Sequence, residues 1–263
     1  MFGTQTIERS DPFVADLIAT RSGRENLTTA DLVGELVLRP LARARREATT
    51  QLIVIAGGAA SGKSTLALNM SRTLTEQDVP SAIVSSDDFV RGDRGERHDR
   101  EKKGMPPEVK YNFDEMRRIV GTVCANQDSD RTVEAPQYDA HTGLAIDGER
   151  RRLISKVNVL IVEGDMLGEK GAMPQDLFPG EAYNPLALYM HVSDEERLRR
   201  RVLRDMQQRN GHGQTPEDIV NSFERRQDTQ HLPYTLPYAS AANTIVTFAA
   251  ANNNASLYDI YSL

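Results

Sequence analysis

The chain has 263 residues, 39% of them apolar and 27% charged, with a net charge of −6 and a single cysteine, Cys124. That length supports one sizeable core with appendages, while the acidic balance argues against a general nucleic-acid binder, which would want a basic field for phosphate contacts. One thiol excludes an internal disulfide and a cysteine-rich zinc site, and no run approaches the ~18 apolar residues of a membrane span.

The opening stretch, MFGTQTIERSDPF, lacks the charged-then-apolar pattern of an export signal, so a cytoplasmic location is expected. Residues 1–50 are expected to form a helical N-terminal extension in two pieces. The first starts at Asp11-Pro12, an N-cap with proline at the first helical position, and carries Phe13, Val14, Leu17 and Ile18 on one face. The second starts at Thr28 or Thr29 and carries Leu32, Leu36 and Leu41 before a basic run of Arg43, Arg45 and Arg46. Packing of this pair on a sheet is the plain expectation; a homo-oligomerisation or regulatory surface is the alternative.

From Gln51 onward, apolar strand-like runs alternate with helical patterns, which predicts a mainly parallel sheet flanked by helices over residues 51–250. Strands are expected at 51–56, 81–85, 157–162, 186–192 and 243–248, with 251–263 as a C-terminal tail. Residues 91–110 are densely charged, contain Pro106-Pro107 and show no apolar period, so an exposed functional loop is expected. Residues 130–150 read as a hairpin with turns at Gly143 and Gly148.

The first strand runs into Gly57, Gly58, Ala59, Ala60, Ser61, Gly62, Lys63, Ser64 and Thr65, the spacing of a phosphate-binding loop between a strand and a helix. Glycines at 57 and 62 permit positive φ, so successive N–H groups turn inward toward phosphates, where the helix N-terminus adds attraction. Lys63 would reach the β- and γ-phosphates, Ser64 would offer its hydroxyl to Mg²⁺, and Thr65 would help hold the α-phosphate side.

Two acidic strand ends complete a candidate site. Ser81–Ser85 leads into Ser86-Asp87-Asp88-Phe89, which puts Asp87 or Asp88 beside the γ-phosphate, where a carboxylate accepts a hydroxyl proton; the competing reading is a helix cap, chiefly for Asp88. The strand at 157–162 ends in Glu163-Gly164, an acid suited to the water shell of Mg²⁺, with Asp165 able to share the task. The helix opening at Asp194 has an apolar stripe of Leu198, Val202 and Met206, with Arg197, Arg201 and Arg204 on an adjoining face, which suits a lid over phosphates within a lid region 194–228; a solvated, ion-paired face is the bland alternative. The five histidines never occur at i, i+3 or i, i+4 spacing, and no serine-hydrolase elbow exists.

Taken in order, GGAASGKST at 57–65, SSDDF at 85–89, YNFDEM at 111–116, VLIVEG at 159–164 and RRVLRDMQQR at 200–209 resemble the uridine kinase and phosphoribulokinase family of small-molecule kinases, from Gln51 to Thr247. The resemblance implies the P-loop nucleoside triphosphate hydrolase fold, a β-hairpin acceptor region, a helical lid, and ATP with Mg²⁺. It implies Asp87 as the base for the acceptor hydroxyl, Lys63 on the transferred phosphoryl group, and Ser64 and Glu163 on the Mg²⁺ shell. It places Asp114 on a ribose, Tyr138 and His141 on the acceptor, Arg201 and Arg204 on phosphates or acceptor, and Arg209 as a further lid contact.

The sequence also departs from the family pattern. His141 follows Tyr138 after three residues where the family has five, Asn210–Pro216 replaces a short turn with Gln214 about where an arginine stands, and Ser222 replaces a glutamine. The phosphoryl-transfer half is retained and the acceptor half is altered. The expected activity is transfer of a γ-phosphoryl group to a hydroxyl of a small metabolite, with a uridine- or cytidine-like nucleoside as first acceptor. Another sugar, a nucleotide sugar or a cofactor precursor is the alternative, and a nucleotide-binding regulator is the alternative from another class.

Overall fold

The structure, a computed structural model, describes residues 11–39, 50–125, 132–139, 142–170, 185–207, 215–252 and 255–263. Nine strands are present among them: β1 Ser22–Thr28, β2 Gln51–Ala56, β3 Ser81–Ser85, β4 Val133–Pro136, β5 Arg151–Ile154, β6 Val159–Gly164, β7 Leu186–His191, β8 Thr244–Asn252 and β9 Ala255–Ser262. Seven form one sheet in the order β1-β9-β8-β7-β2-β6-β3, and β4 and β5 pair separately. The run β8-β7-β2-β6-β3 is parallel, while β9 lies antiparallel to both β8 and β1.

The apolar run of β2 reflects burial on both faces. Leu52, Val54 and Ala56 enter one core with Leu160 and Val162; Ile53 and Ile55 enter the other with Val159 and Ile161. This is the two-residue period of a strand sandwiched between helices. The Lys63–Glu76 helix covers the second face with Leu66, Ala67, Met70 and Leu74. The Phe113–Ala125 helix covers the first with Phe113, Met116, Ile119, Val120 and Val123.

The N-terminal extension differs from the two-helix expectation. After the Asp11–Ala19 helix the chain forms β1, whose residues SGRENLT are mostly exposed. A strand that buries no face shows no alternation, and only its pairing with β9 creates it. Thr28 then caps the Thr29–Val33 helix in a capping box with Asp31, and Leu32, Val33 and Val37 enter the core. Residues 40–49, with Leu41 and the three arginines after it, lie outside the described residues.

Three further expectations are corrected. The C-terminal segment is a sheet strand, β9, not a tail, because it supplies the partner for β8 and β1. The charged segment holds a helix, Arg94–Lys102, rather than loop alone; Asp93 and Glu96 form its capping box and Arg100 and Lys102 occupy its last turn, so end charges stabilise it while none of its residues is buried. The hairpin runs from β4 to β5, in register Val133↔Ile154, so its second strand lies beyond residue 150.

Candidate active site

The phosphate-binding loop joins β2 to the Lys63–Glu76 helix at the carboxyl edge of the parallel strands, where open α/β sheets form ligand crevices. Gly57 (φ +156°) and Gly62 (φ +101°) adopt backbone that favours glycine, and Ala60 (φ +65°) shares the left-handed region at local cost. A Cβ at Gly57 would meet the Met190 carbonyl at 2.5 Å, and one at Gly58 would meet Nη1 of Arg197 at 1.9 Å. Gly62 is the N-cap of the helix and supplies no side-chain acceptor, so the first helical N–H groups remain available to an anion.

Ala59, Ala60, Lys63 and Ser64 face a cleft of about 870 Å³ that also takes in Asp87, Tyr138, Glu163 and Asp165. Buried Lys63 donates from Nζ to the Gly58 carbonyl (3.0 Å) and to Oδ1 of Asp165 (2.5 Å). Ser64 Oγ donates to Oε1 of Glu163 (3.1 Å). Glu163 comes to this spot because β6 is in parallel register with its neighbours, opposite Ser85 of β3 and Ile55 of β2. Gly164 then admits Ser86, whose Oγ would lie 2.2 Å from a Cβ there.

The two aspartates after β3 separate in role. Asp88 is buried and accepts from the backbone N–H of Ser85 (3.2 Å) and Tyr138 (2.9 Å) and from Nη2 of Arg152 (2.7 Å). It ties the hairpin to the end of β3. Asp87 opens onto the cleft and its side chain is exposed there. The crowding of the cleft walls, and then the charges of Asp165 and Glu163, push its carboxyl up to about 7 against the opposing pull of Lys63. Burial likewise raises Glu163, whereas Lys63 overcomes burial at Asp165 and holds that carboxyl low.

The lid arginines do not act as one face. Arg197 is buried behind the phosphate loop, donating from Nη2 to Oε1 of Gln227 (2.6 Å), with Nη1 3.0 Å from Nε2 of His231 and the guanidinium over the Phe223 ring. Arg201 is also buried, donating to Oγ of Ser222 (3.1 Å) beside Asp205 (3.6 Å). Arg204 is partly open to the cleft and donates to Asp205 (2.9 Å). Arg200, on none of these contacts, donates to the Ser61 carbonyl (3.5 Å) and lies over Phe248.

Asp114 departs from its expected place: its side chain is 91% exposed and pairs with Arg117 at 2.7 Å, outside the residues that line the cleft. Thr65 is exposed and Gly57, Gly58, Ser61 and Gly62 lie behind the cleft lining. His141, Arg209 and Gln214 lie outside the described residues. The cleft also holds residues that no motif marked, among them Arg97, Glu101, Lys110, Arg225 and Arg226. The usable signal was the charge density of residues 91–110, which flagged the segment without ranking its side chains.

Among the described residues no cluster of three or more His, Cys, Asp or Glu is arranged for a metal, and no helix is long and apolar enough to cross a membrane. A hydroxyl and a carboxylate, Ser64 and Glu163, form a hard oxygen donor pair that fits Mg²⁺, which keeps most of its waters at phosphate sites.

Residues 52–255 match the model of the Phosphoribulokinase / Uridine kinase family. A uridine kinase of Alkaliphilus metalliredigens (strain QYMF) is 25% identical over 200 residues, covering 74% of this chain and 85% of that protein. Among solved structures, a protein described as a fructose transport system kinase, from Silicibacter sp. TM1040, is 26% identical with a TM-score of 0.55, covering 82% of this chain and 93% of that one. The D-glycerate 3-kinase of Cryptococcus neoformans var. grubii shares the fold, with a TM-score of 0.60 at 14% identity over 83% of this chain and 94% of that one.

Proposed function

The chain belongs to the phosphoribulokinase / uridine kinase family of ATP-using small-molecule kinases, and we propose that it transfers the γ-phosphoryl group of ATP to a hydroxyl of a small metabolite with Asp87 as the base. The observation that carries this reading is the meeting of Asp87, Lys63, Ser64 and Glu163 in one cleft, with the Asp87 carboxyl tuned to about 7, where it both accepts a proton and is ionised near neutrality. Lys63 and the loop amides would bind the phosphates, and Arg204 would add charge from the lid side. Ser64 and Glu163 would hold Mg²⁺, which when bound neutralises phosphate charge. The acceptor oxygen would bond to the γ-phosphorus as the bond to the β,γ-bridging oxygen breaks, its proton passing to Asp87.

A uridine- or cytidine-like acceptor is supported by the names of the curated relatives and by Tyr138 in the cleft. The exposed position of Asp114 counts against it, since a ribose reader outside the cleft reads nothing. A sugar, nucleotide sugar or cofactor-precursor hydroxyl is therefore the second reading. ADP release with Mg²⁺-ATP across nucleosides, sugars and hydroxylated metabolites, with Asp87→Asn alongside, tests the proposal. Acceptor-dependent release that the variant loses supports it, and full turnover in the variant overturns the base assignment.

A further inference from the structure

The lining of the cleft carries a concentration of positive charge outside the phosphate loop. Glu101 is nearly buried and contacts three cations: Nε of Arg225 at 3.0 Å, Nη2 of Arg226 at 3.5 Å and Nζ of Lys110 at 3.8 Å. Arg97 joins them with Nη1 on the carbonyls of Gly92 (2.5 Å) and Gly143 (2.8 Å), neutral acceptors that leave its charge uncompensated. Three cations thus share one carboxylate with a fourth lining the same cleft, and Nε of Arg226 is buried with no hydrogen-bond partner.

Of the other acids of the cleft, Asp165 holds Lys63, Glu163 accepts from Ser64, Asp205 contacts Arg201 and Arg204, and Asp218 caps the Pro216–Arg226 helix with Thr215, which leaves Asp87, the base of the kinase reading. The surplus is felt inside the cluster: burial and then Arg226 lower the Lys110 ammonium to about 8, although Glu101 opposes them. Gathering like charges in a partly desolvated cleft is costly unless an anion joins them. Tyr111, Asp87 and the cluster line the same cleft, so an acceptor there has both the base and the cations within one cavity.

We propose that the acceptor is itself an anion, a hydroxylated metabolite whose carboxylate or phosphate binds Lys110, Arg225 and Arg226 while its hydroxyl is presented to Asp87. This rests on the kinase reading and narrows it. The triphosphate already has Lys63, the loop amides and Arg204, whereas Lys110 and Glu101 belong to the segment after β3. Planar guanidinium forks beside an ammonium match an oxyanion and offer nothing comparable to a neutral nucleoside. Transfer leaves the anionic group untouched: the hydroxyl oxygen gains the phosphoryl group, ADP departs and Asp87 takes the proton.

The test is calorimetric binding of gluconate and of ribose 5-phosphate to the full chain loaded with Mg²⁺ and a non-hydrolysable ATP analogue, paired with ADP release from ATP using the same two probes, uridine and fructose. At least one anionic probe is expected to bind, and which one separates carboxylate from phosphate recognition. Arg226→Gln should weaken that binding at least ~10-fold while leaving ATP affinity within ~3-fold, and the more exposed Arg225→Gln should act in the same direction with an unchanged unfolding midpoint. Absence of binding by either anionic probe, or turnover of a neutral probe with a KM that Arg226→Gln does not move, overturns the inference and leaves the kinase reading standing. Binding of an anionic probe that responds to Arg226→Gln without ADP release from any probe supports the anion site and counts against the kinase reading, so the two fail separately.

Discussion

Arg197 lies where a side chain on Gly58 would be: a Cβ there would stand 1.9 Å from Nη1. The guanidinium is held from behind by Gln227 and His231 and lies over Phe223, so it has no free direction of retreat. The phosphate loop and the Asp194–Gln207 helix therefore meet at a residue without a side chain, and the loop takes its shape partly from that helix.

Gly58→Ala should overpack this contact and cost about 1–3 kcal/mol of stability, with a larger loss in nucleotide affinity. Arg197→Ala should also destabilise, since Asp194 beneath it is fully buried and 3.5 Å away. The double variant should lose less than the two single losses added, because the clash disappears with the guanidinium. Urea unfolding and ATP titration of the four proteins check this.

Asp87 sets the pH dependence. A base with a carboxyl near 7 must be ionised, so kcat/KM should fall as pH drops through about 7. Asp87→Asn should keep ATP affinity, lose roughly 10²–10⁴-fold in kcat and lack that limb. The stability effect has the opposite sense. The folded-state value is raised, so the Asp87 contribution is fully present in acid and is lost as pH rises to about 7. Relative to wild type, the variant should gain in unfolding temperature across that interval and hold a constant offset above it.

Asp88 should behave as a structural acid. With two backbone donors and Arg152 converging on it, Asp88→Ala leaves a partly buried guanidinium and two N–H groups unmet. A loss of about 3 kcal/mol is expected by denaturant unfolding, together with a rise in acceptor KM from the loosened hairpin. A variant as stable as wild type would remove this role.

The lid arginines should separate in the same assay. Arg204→Ala, at a partly open position, should raise the ATP KM about 10-fold with little change in stability. Arg201→Ala, at a buried one, should cost about 2 kcal/mol of stability by leaving Ser222 and Asp205 short of a partner. Thermal unfolding beside steady-state kinetics distinguishes the two.

Local pattern was sufficient wherever a segment's surroundings are uniform along its length. The apolar run of β2, the loop from Gly57 to Thr65 and the acids closing β3 and β6 were legible because strand burial, tight turns and crevice-facing strand ends each demand particular residue types at fixed spacing. The helical stripe was legible at Leu198 and Val202 but not at Met206, which is exposed, and the fates of the arginines beside it were not legible. Arg197, Arg201 and Arg204 share a helix face and differ because Phe223, Ser222 and open cleft lie opposite them in turn.

By itself, then, the sequence determined the phosphate-binding half of this protein: its strand, loop, helix and acidic strand ends are contiguous motifs whose geometry follows from local chemistry. Only the tertiary structure decided that SGRENLT is an edge strand, that Asp114 stays outside the cleft, and that Lys110, Arg225 and Arg226 converge on Glu101. The physical reason is the same in each case. Exposure, charge balance and pairing at these positions are set by partners more than a hundred residues away in the chain or on another element, and no local period records them.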